Sequence, residues 1–254
     1  MDIKINAFKR AIHGGHRQVG LWSASGSPAV LEMLGHSGFD WIVLDTEHAP
    51  NELPDIMAQM RVLTGTPTEV VVRPAWNDTV LIKRFLDAGA QTLLIPFVQD
   101  KAEAEAAVRA MRYPPHGVRG VSVSSRANGY GRVTDYFRRV HDELCCLVQI
   151  ETGAALARLE AIAAVEGVDG VFIGPSDRAA DLGHLGNSAH PDVQTAIRQA
   201  AERCRAAAKP AGILTPSEDE ARRYLEWGFT FVAVGSDIGV LRKAADALSA
   251  RFRA

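Results

Sequence analysis

The feature that most restricts what this chain can fold into is a regular alternation of short apolar runs with longer amphipathic stretches. Nine segments read as strands: Gln18–Trp22, Trp41–Asp45, Glu69–Arg73, Thr92–Pro96, Val118–Ser122, Cys146–Glu151, Gly170–Gly174, Ala211–Leu214 and Phe229–Val234. Most are nearly unbroken apolar runs, as expected of parallel strands covered on both faces. Between them lie helical patterns at Pro28–His36, Leu53–Leu63, Thr79–Asp87, Lys101–Met111, Ala154–Val165, Pro191–Ala208 and Ser217–Trp227. Several close on glycine, in "DAGA", "VEGVDG" and "EWGF", which suits a left-handed helix cap before the next strand. The pattern predicts a single-domain α/β fold, a (β/α)8 TIM barrel. The alternative is an open doubly wound sheet, disfavoured because polar residues follow so many separate strands. Nine candidates for eight places means one, most simply Val118–Ser122, belongs to a loop.

A length of 254 residues fits one such barrel. With 28 basic and 30 acidic residues the chain lacks the basic excess that a nucleic-acid or membrane-surface partner would need. The three cysteines, Cys145, Cys146 and Cys204, form neither a disulfide framework nor a zinc spacing. The first residues lack the apolar core of a signal peptide, and no apolar stretch reaches membrane length. A cytoplasmic, reducing location is the expectation.

In a barrel, chemistry sits where strands end. Those positions supply Trp22, then Asp45, Glu47 and His48 in "LDTEHAP", Arg73 in "EVVVRP", Gln149 and Glu151 in "LVQIE", and Asp177 in "FIGPSD". Leu214 closes a further strand and is expected, with Trp22, to line the substrate. Any one carboxylate at a strand end is more often a helix cap or an ion-pair partner. Their gathering on one rim is what points to a site. Glu151 and Asp177 end strand segments one α/β unit apart, and neighbouring strands are about 5 Å apart, so both can meet one ion. A hard divalent cation, Mg²⁺ or in its place Mn²⁺ or Co²⁺, takes such oxygen ligands and leaves positions for a 2-oxo acid. His48, near Asp45, can be held in one tautomer and tuned as a base. Arg73 is aimed at the rim, where a guanidinium can meet an oxyanion. The amides of Gly174, Ser176 and Asp177 can cup an anion. The remaining histidines, His184 and His190 among them, have no strand-end context and read as loop or helix-end residues. None of the six lysines ends an apolar strand on this rim, which favours a metal route over an imine route.

The segments "GFDWIVLDTEHAPN", "VVRP", "RYPPHGVRGV", "LVQIET", "VEGVDGVFIGPSD", "GHLGN" and "FVAVGSD" resemble, in order and over nearly the whole chain, the HpcH/HpaI family of metal-dependent pyruvate aldolases. "GVSVSSRAN", "HPDVQ" and "RRYLEWG" are most similar to its 2-dehydro-3-deoxyglucarate branch. The resemblance implies that Glu151 and Asp177 bind the metal and that His48 with Asp45 forms a base dyad. It further implies that Arg73 stabilises an enolate and that Gln149 contacts the pyruvyl group. The substrates would be a 2-oxo acid and an aldehyde, and the assembly a homohexamer with sites near subunit contacts. Asp87, in "RFLDAG", would reach a neighbour's site, and Arg126, in the "SSRAN" loop, would meet a distal substrate carboxylate. The alternatives are the heptanedioate branch of the same family, an acyl-CoA lyase of the citrate-lyase type, and a 2-oxo acid-binding barrel without turnover. Two residues depart from the pattern: Thr46 stands where glycine is usual, and Arg178 where leucine is. Arg178 could disturb the metal ligands or pair with Asp181.

Overall fold

The computed structural model describes residues 1–253. Eight parallel strands close into a barrel in sequence order: β1 Gln18–Ser23, β2 Trp41–Asp45, β3 Glu69–Arg73, β4 Thr92–Ile95, β5 Cys145–Ile150, β6 Val168–Ile173, β7 Ala211–Leu214 and β8 Phe231–Ser236. The barrel expectation is met and the open sheet is not, because β8 pairs back onto β1. The ninth candidate, Val118–Ser122, is not a strand. Its amides at Val118 and Arg119 bond to Arg109 O and Arg112 O at the end of the preceding helix, and Val118 and Val121 are exposed. Its apolar residues imitate a strand without a face to bury. The glycine caps are as expected: Gly89, Gly167 and Gly228 all have positive φ.

The barrel's interior is a packed core, not a pore. Trp41, Val43, Val71, Leu94, Leu147 and Phe231 fill it. A helix the sequence pattern did not announce, Ala7–His13, presents Phe8 and Ile12 to its base. There Phe8 packs 5.5 Å from the Trp41 ring and 5.7 Å from the Phe231 ring. The large rings fit because glycines face them. A Cβ on Gly20 would lie 2.3 Å from Trp41, and one on Gly212 2.0 Å from Phe231. A larger apolar layer lies between the strands and the outer helices.

Further unannounced helices are Tyr136–Glu143, Pro175–Asp181 and Asp237–Arg253. The last one differs from the others: only Asp237 is buried, while Ile238, Val240, Leu241, Leu248 and Phe252 are exposed. No helix is long and apolar enough to cross a membrane among the described residues.

Gly212→Ala tests the filled interior. The methyl group would meet Phe231 inside a closed ring, so overpacking should cost about 1–3 kcal/mol in denaturant unfolding. A change below the error of the measurement would mean that the ring can move aside and that the layer is not tightly packed.

Candidate active site

The closed ring carries the strand-end side chains to one rim. Asp45 and Arg73 are register partners at the ends of β2 and β3. Both are buried. Arg73 donates from Nε to Asp45 Oδ1 at 2.8 Å and from Nη2 to Oδ2 at 2.7 Å. Trp22, from β1, donates its indole N–H to Oδ2 at 3.2 Å and lies under the guanidinium, 4.9 Å from ring centre to Arg73 Cζ. Burial alone would raise the Asp45 carboxyl, but the hydrogen bonds and charge of Arg73 outweigh it and hold it below its ordinary value.

Glu47 is the second partner of Arg73, with Oε2 2.7 Å from Nη1. Burial, with the charges of Asp45 and Asp177, keeps the Glu47 carboxyl above its usual range despite Arg73. Glu151 follows β5 and is buried. It accepts a hydrogen bond from the Gln149 amide and one of 3.1 Å from Phe97 N–H. Phe97 itself has a left-handed backbone, φ 54°, which costs strain in a non-glycine residue. Burial, then the charge of Asp177, pushes Glu151 up from 4.5 to about 7. The buried Gln149 Oε1 has no partner in the protein. Gly174 permits close approach: a Cβ there would lie 2.8 Å from Glu151 Cγ. Two carboxylates and an unsatisfied amide oxygen form an oxygen-only donor set, short of positive charge, of the kind a hard divalent cation takes.

These residues open on a cavity of about 360 Å³ lined by Trp22, His48, Arg73, Gln149, Gly174, Ser176, Asp177 and Leu214. The strand-end reading placed all eight at this rim. Pattern reasoning missed Phe172, Ser188, Thr215, Glu220 and Tyr224, which also line it. Thr215 directly follows β7, so the strand-end rule applied to that strand would have found it. Ser188, Glu220 and Tyr224 come from a loop and a helix and carry no local signal.

Two expectations, the His48–Asp45 dyad and Arg126 facing the substrate, are not met within the chain's own site, and Asp87, expected at a neighbour's site, lies away from this one. The Asp45 carboxylate meets His48 through its backbone amide, Oδ1 to N 3.4 Å, and not through the imidazole. Arg73 occupies both carboxylate oxygens, and the His48 ring stands outward, 68% exposed, with Glu47 Oε1 3.9 Å away. Asp87 and Arg126 lie at the opposite end of the barrel. Asp87 closes a helix that runs back from the rim and accepts from the buried Arg119 at 2.7 Å. Arg126 donates to Ala88 O at 3.0 Å and Thr64 Oγ1 at 3.2 Å. Loop position in the sequence does not say which end of a barrel a side chain reaches.

The two departures are accommodated. Thr46 has no left-handed backbone to demand glycine, and its hydroxyl donates to Arg73 O at 2.7 Å. Arg178 pairs with Asp181, whose Oδ2 also accepts Gly153 N–H at 2.8 Å. The pair therefore ties the loop after β5 to the helix after β6 and does not compete with Asp177.

The fold is a parallel barrel whose rim gathers carboxylates, an arginine and a histidine around one cavity. The chain belongs to the HpcH/HpaI aldolase/citrate lyase family, whose model matches residues 18–244. It is 54% identical over 252 residues to a 5-keto-4-deoxy-D-glucarate aldolase of Escherichia coli (strain K12 / DH10B), covering 99% of this chain and 98% of that one. A solved HpcH/HpaI aldolase/citrate lyase family protein from Burkholderia cenocepacia J2315 superimposes with a TM-score of 0.95 at 37% identity, covering 98% of this chain and 100% of that one. An HpcH/HpaI aldolase from Desulfitobacterium hafniense DCB-2 gives 0.89 at 26% identity, covering 97% and 96%.

The raised Glu151 carboxyl has a measurable consequence in protein treated with chelator. A carboxyl whose folded value exceeds its unfolded one stabilises the fold fully below about pH 4.5, and that contribution is lost as pH rises through about 7. Unfolding free energy should fall across this window. Glu151→Gln should flatten most of the fall, leaving a smaller slope from Glu47. An unchanged slope would remove Glu151 as the titrating group.

Proposed function

We propose that this protein is a metal-dependent aldolase that reversibly cleaves a six-carbon 4-hydroxy-2-oxo diacid to pyruvate and tartronate semialdehyde. The observation that carries this reading is the buried Glu151 next to Asp177, which lines a cavity that no lysine lines among the described residues. The full-length similarity to a 5-keto-4-deoxy-D-glucarate aldolase supports the diacid. Numbered from its keto end, that compound is a 2-oxo-3-deoxy-4-hydroxy diacid. Breaking its C3–C4 bond leaves a three-carbon 2-oxo acid and a three-carbon hydroxy-aldehyde acid. The heptanedioate alternative has no comparable support, and no observation favours an acyl-CoA lyase or a silent binding barrel.

Glu151 and Asp177 would hold a divalent cation, Mg²⁺ or in its place Mn²⁺ or Co²⁺, which as a Lewis acid polarises a 2-oxo group. The chain's own residues do the rest. The amides that follow Gly174 hold the substrate carboxylate at the start of the Pro175–Asp181 helix. His48, at the mouth of the cavity, takes the C4 hydroxyl proton. The C3–C4 electron pair then forms the pyruvate enolate, whose negative charge Arg73 faces across the cavity. Return of a proton to C3 gives pyruvate. Asp45 acts through Arg73, fixing the guanidinium. Trp22 and Leu214 give apolar walls.

The active assembly is a homohexamer in the cytoplasm, where the three buried cysteines stay reduced. The uncovered apolar residues of the Asp237–Arg253 helix support burial against other copies. Asp87 and Arg126, at the base of their own barrel, would then act on a neighbour's substrate.

Chelation should abolish pyruvate release from 5-keto-4-deoxy-D-glucarate, and Mg²⁺ should restore it. Borohydride with pyruvate should leave the protein unmodified, and a pyruvate adduct on any lysine would contradict the mechanism. His48→Ala should lower kcat by about 10²–10⁴-fold, as loss of a general base does. Near-normal turnover in that variant would move the base elsewhere.

A further inference from the structure

Downstream of the rim helix Pro175–Asp181, the chain makes a loop and re-enters a helix at Pro191. The structure folds His184 back there against His190 and Asp192. The imidazoles of His184 and His190 stack, with centroids 3.4 Å apart and planes 16° from parallel. Asp192 Oδ2 lies 3.3 Å from His184 Nε2 and 3.6 Å from His190 Nδ1. One donor atom from each residue lies within 4.8 Å of the others.

A four-coordinate ion with bonds of about 2.0–2.2 Å to nitrogen and oxygen sets its ligand atoms about 3.3–3.6 Å apart. The two histidine–carboxylate separations already match that edge. The third edge closes by rotating one ring about its Cβ–Cγ bond, a soft torsion. His190 Nδ1 accepts the Asp192 backbone N–H at 3.2 Å, so its lone pair is present and is held only by a long hydrogen bond. That N–H is in the first turn of an exposed helix end and can pass to water. No lysine or arginine pairs with the Asp192 carboxylate among the described residues; its side-chain partners are the two imidazoles. The side chains are 26%, 31% and 69% exposed for His184, His190 and Asp192, which leaves a path for an ion and a position for water.

We propose that His184, His190 and Asp192 form a second metal site, selective for imidazole-preferring divalent transition ions such as Zn²⁺. It differs from the rim in donor chemistry. Glu151 and Asp177 offer only oxygen, which suits Mg²⁺, whereas two imidazoles and one carboxylate suit Zn²⁺, Ni²⁺ or Co²⁺. Its place in the fold gives it a structural consequence. Ser188, between the two histidines, lines the active-site cavity, and its carbonyl accepts Gln194 Nε2–H from the same helix at 2.8 Å. An ion bound to all three residues would staple the 182–190 loop to the helix that begins at Pro191, and so fix one wall of that cavity.

The test uses untagged full-length protein carrying Glu151→Gln and Asp177→Asn, stripped with chelator and titrated with Zn²⁺ by calorimetry. One ion per chain is expected. Adding His184→Gln or His190→Gln should weaken that binding at least tenfold, and a large excess of Mg²⁺ should not compete. Co²⁺ in place of Zn²⁺ should show visible absorption bands that disappear in the histidine variants. Zn²⁺ should also raise the thermal unfolding temperature of the parent protein and not that of His184→Gln, which identifies a variant that folds but no longer binds. Zn²⁺ binding of equal strength and number with and without His184 would overturn the site, as would a parent protein that takes up no Zn²⁺.

Discussion

The rim depends first on the buried ion pair between Asp45 and Arg73. An unpaired charge at that depth is expensive, and removing one partner of such a pair typically costs about 3–5 kcal/mol. The pair is satisfied on both sides. Asp45 receives the Nε and Nη2 donors of the guanidinium, the Trp22 indole and the Glu47 amide, while Thr46 is tied to the Arg73 carbonyl. It therefore locks the ends of β1, β2 and β3 into one block, and the rest of the cavity is arranged around it. A guanidinium held this way has little freedom to reorganise when charge develops near it, which is the property an oxyanion partner needs.

The same pair sets the charge balance. Asp45, Glu47, Glu151 and Asp177 lie close enough at this end of the barrel for their charges to act on one another. Arg73 neutralises the first and stands against the second, within 2.7 Å of each. Glu151 and Asp177 are left without an equivalent cation, and among the described residues no lysine lines the cavity to supply one. Burial next to like charge explains why the Glu151 carboxyl rises to about 7 and why Glu47 also rises. A carboxyl raised like that of Glu151 holds either a proton or, on the proposed function, a metal ion that would polarise a 2-oxo acid.

Much of this was legible in the sequence because a parallel barrel writes its strands as continuous apolar runs and its chemistry at their ends. Trp22, Asp45, Arg73, Gln149, Glu151 and Asp177 all come from that single rule. What was not legible depended on depth or on position around the barrel. Val118–Ser122 has strand composition but hands its amides to a helix end. Ala7–His13 is too short and polar to advertise a helix, and its two apolar side chains gain meaning only under a closed ring. The position of Arg126 along a loop could not reveal that it folds to the base. His184 and His190 look like unrelated loop residues until the return of the chain stacks them. The choice left open for Arg178 is decided by Asp181, which shares its carboxylate with the loop after β5.

The reading of the rim rests on Glu151 and Asp177 acting together on one ion. Mn²⁺ binding to chelator-stripped protein, followed by electron paramagnetic resonance, tests this directly. One tightly held Mn²⁺ per chain is expected, with its affinity rising as pH increases through about 7 because the ion displaces the Glu151 proton. The same ion should be lost in Asp177→Asn. Unchanged Mn²⁺ binding in Asp177→Asn, or none in the unmodified protein, would contradict it.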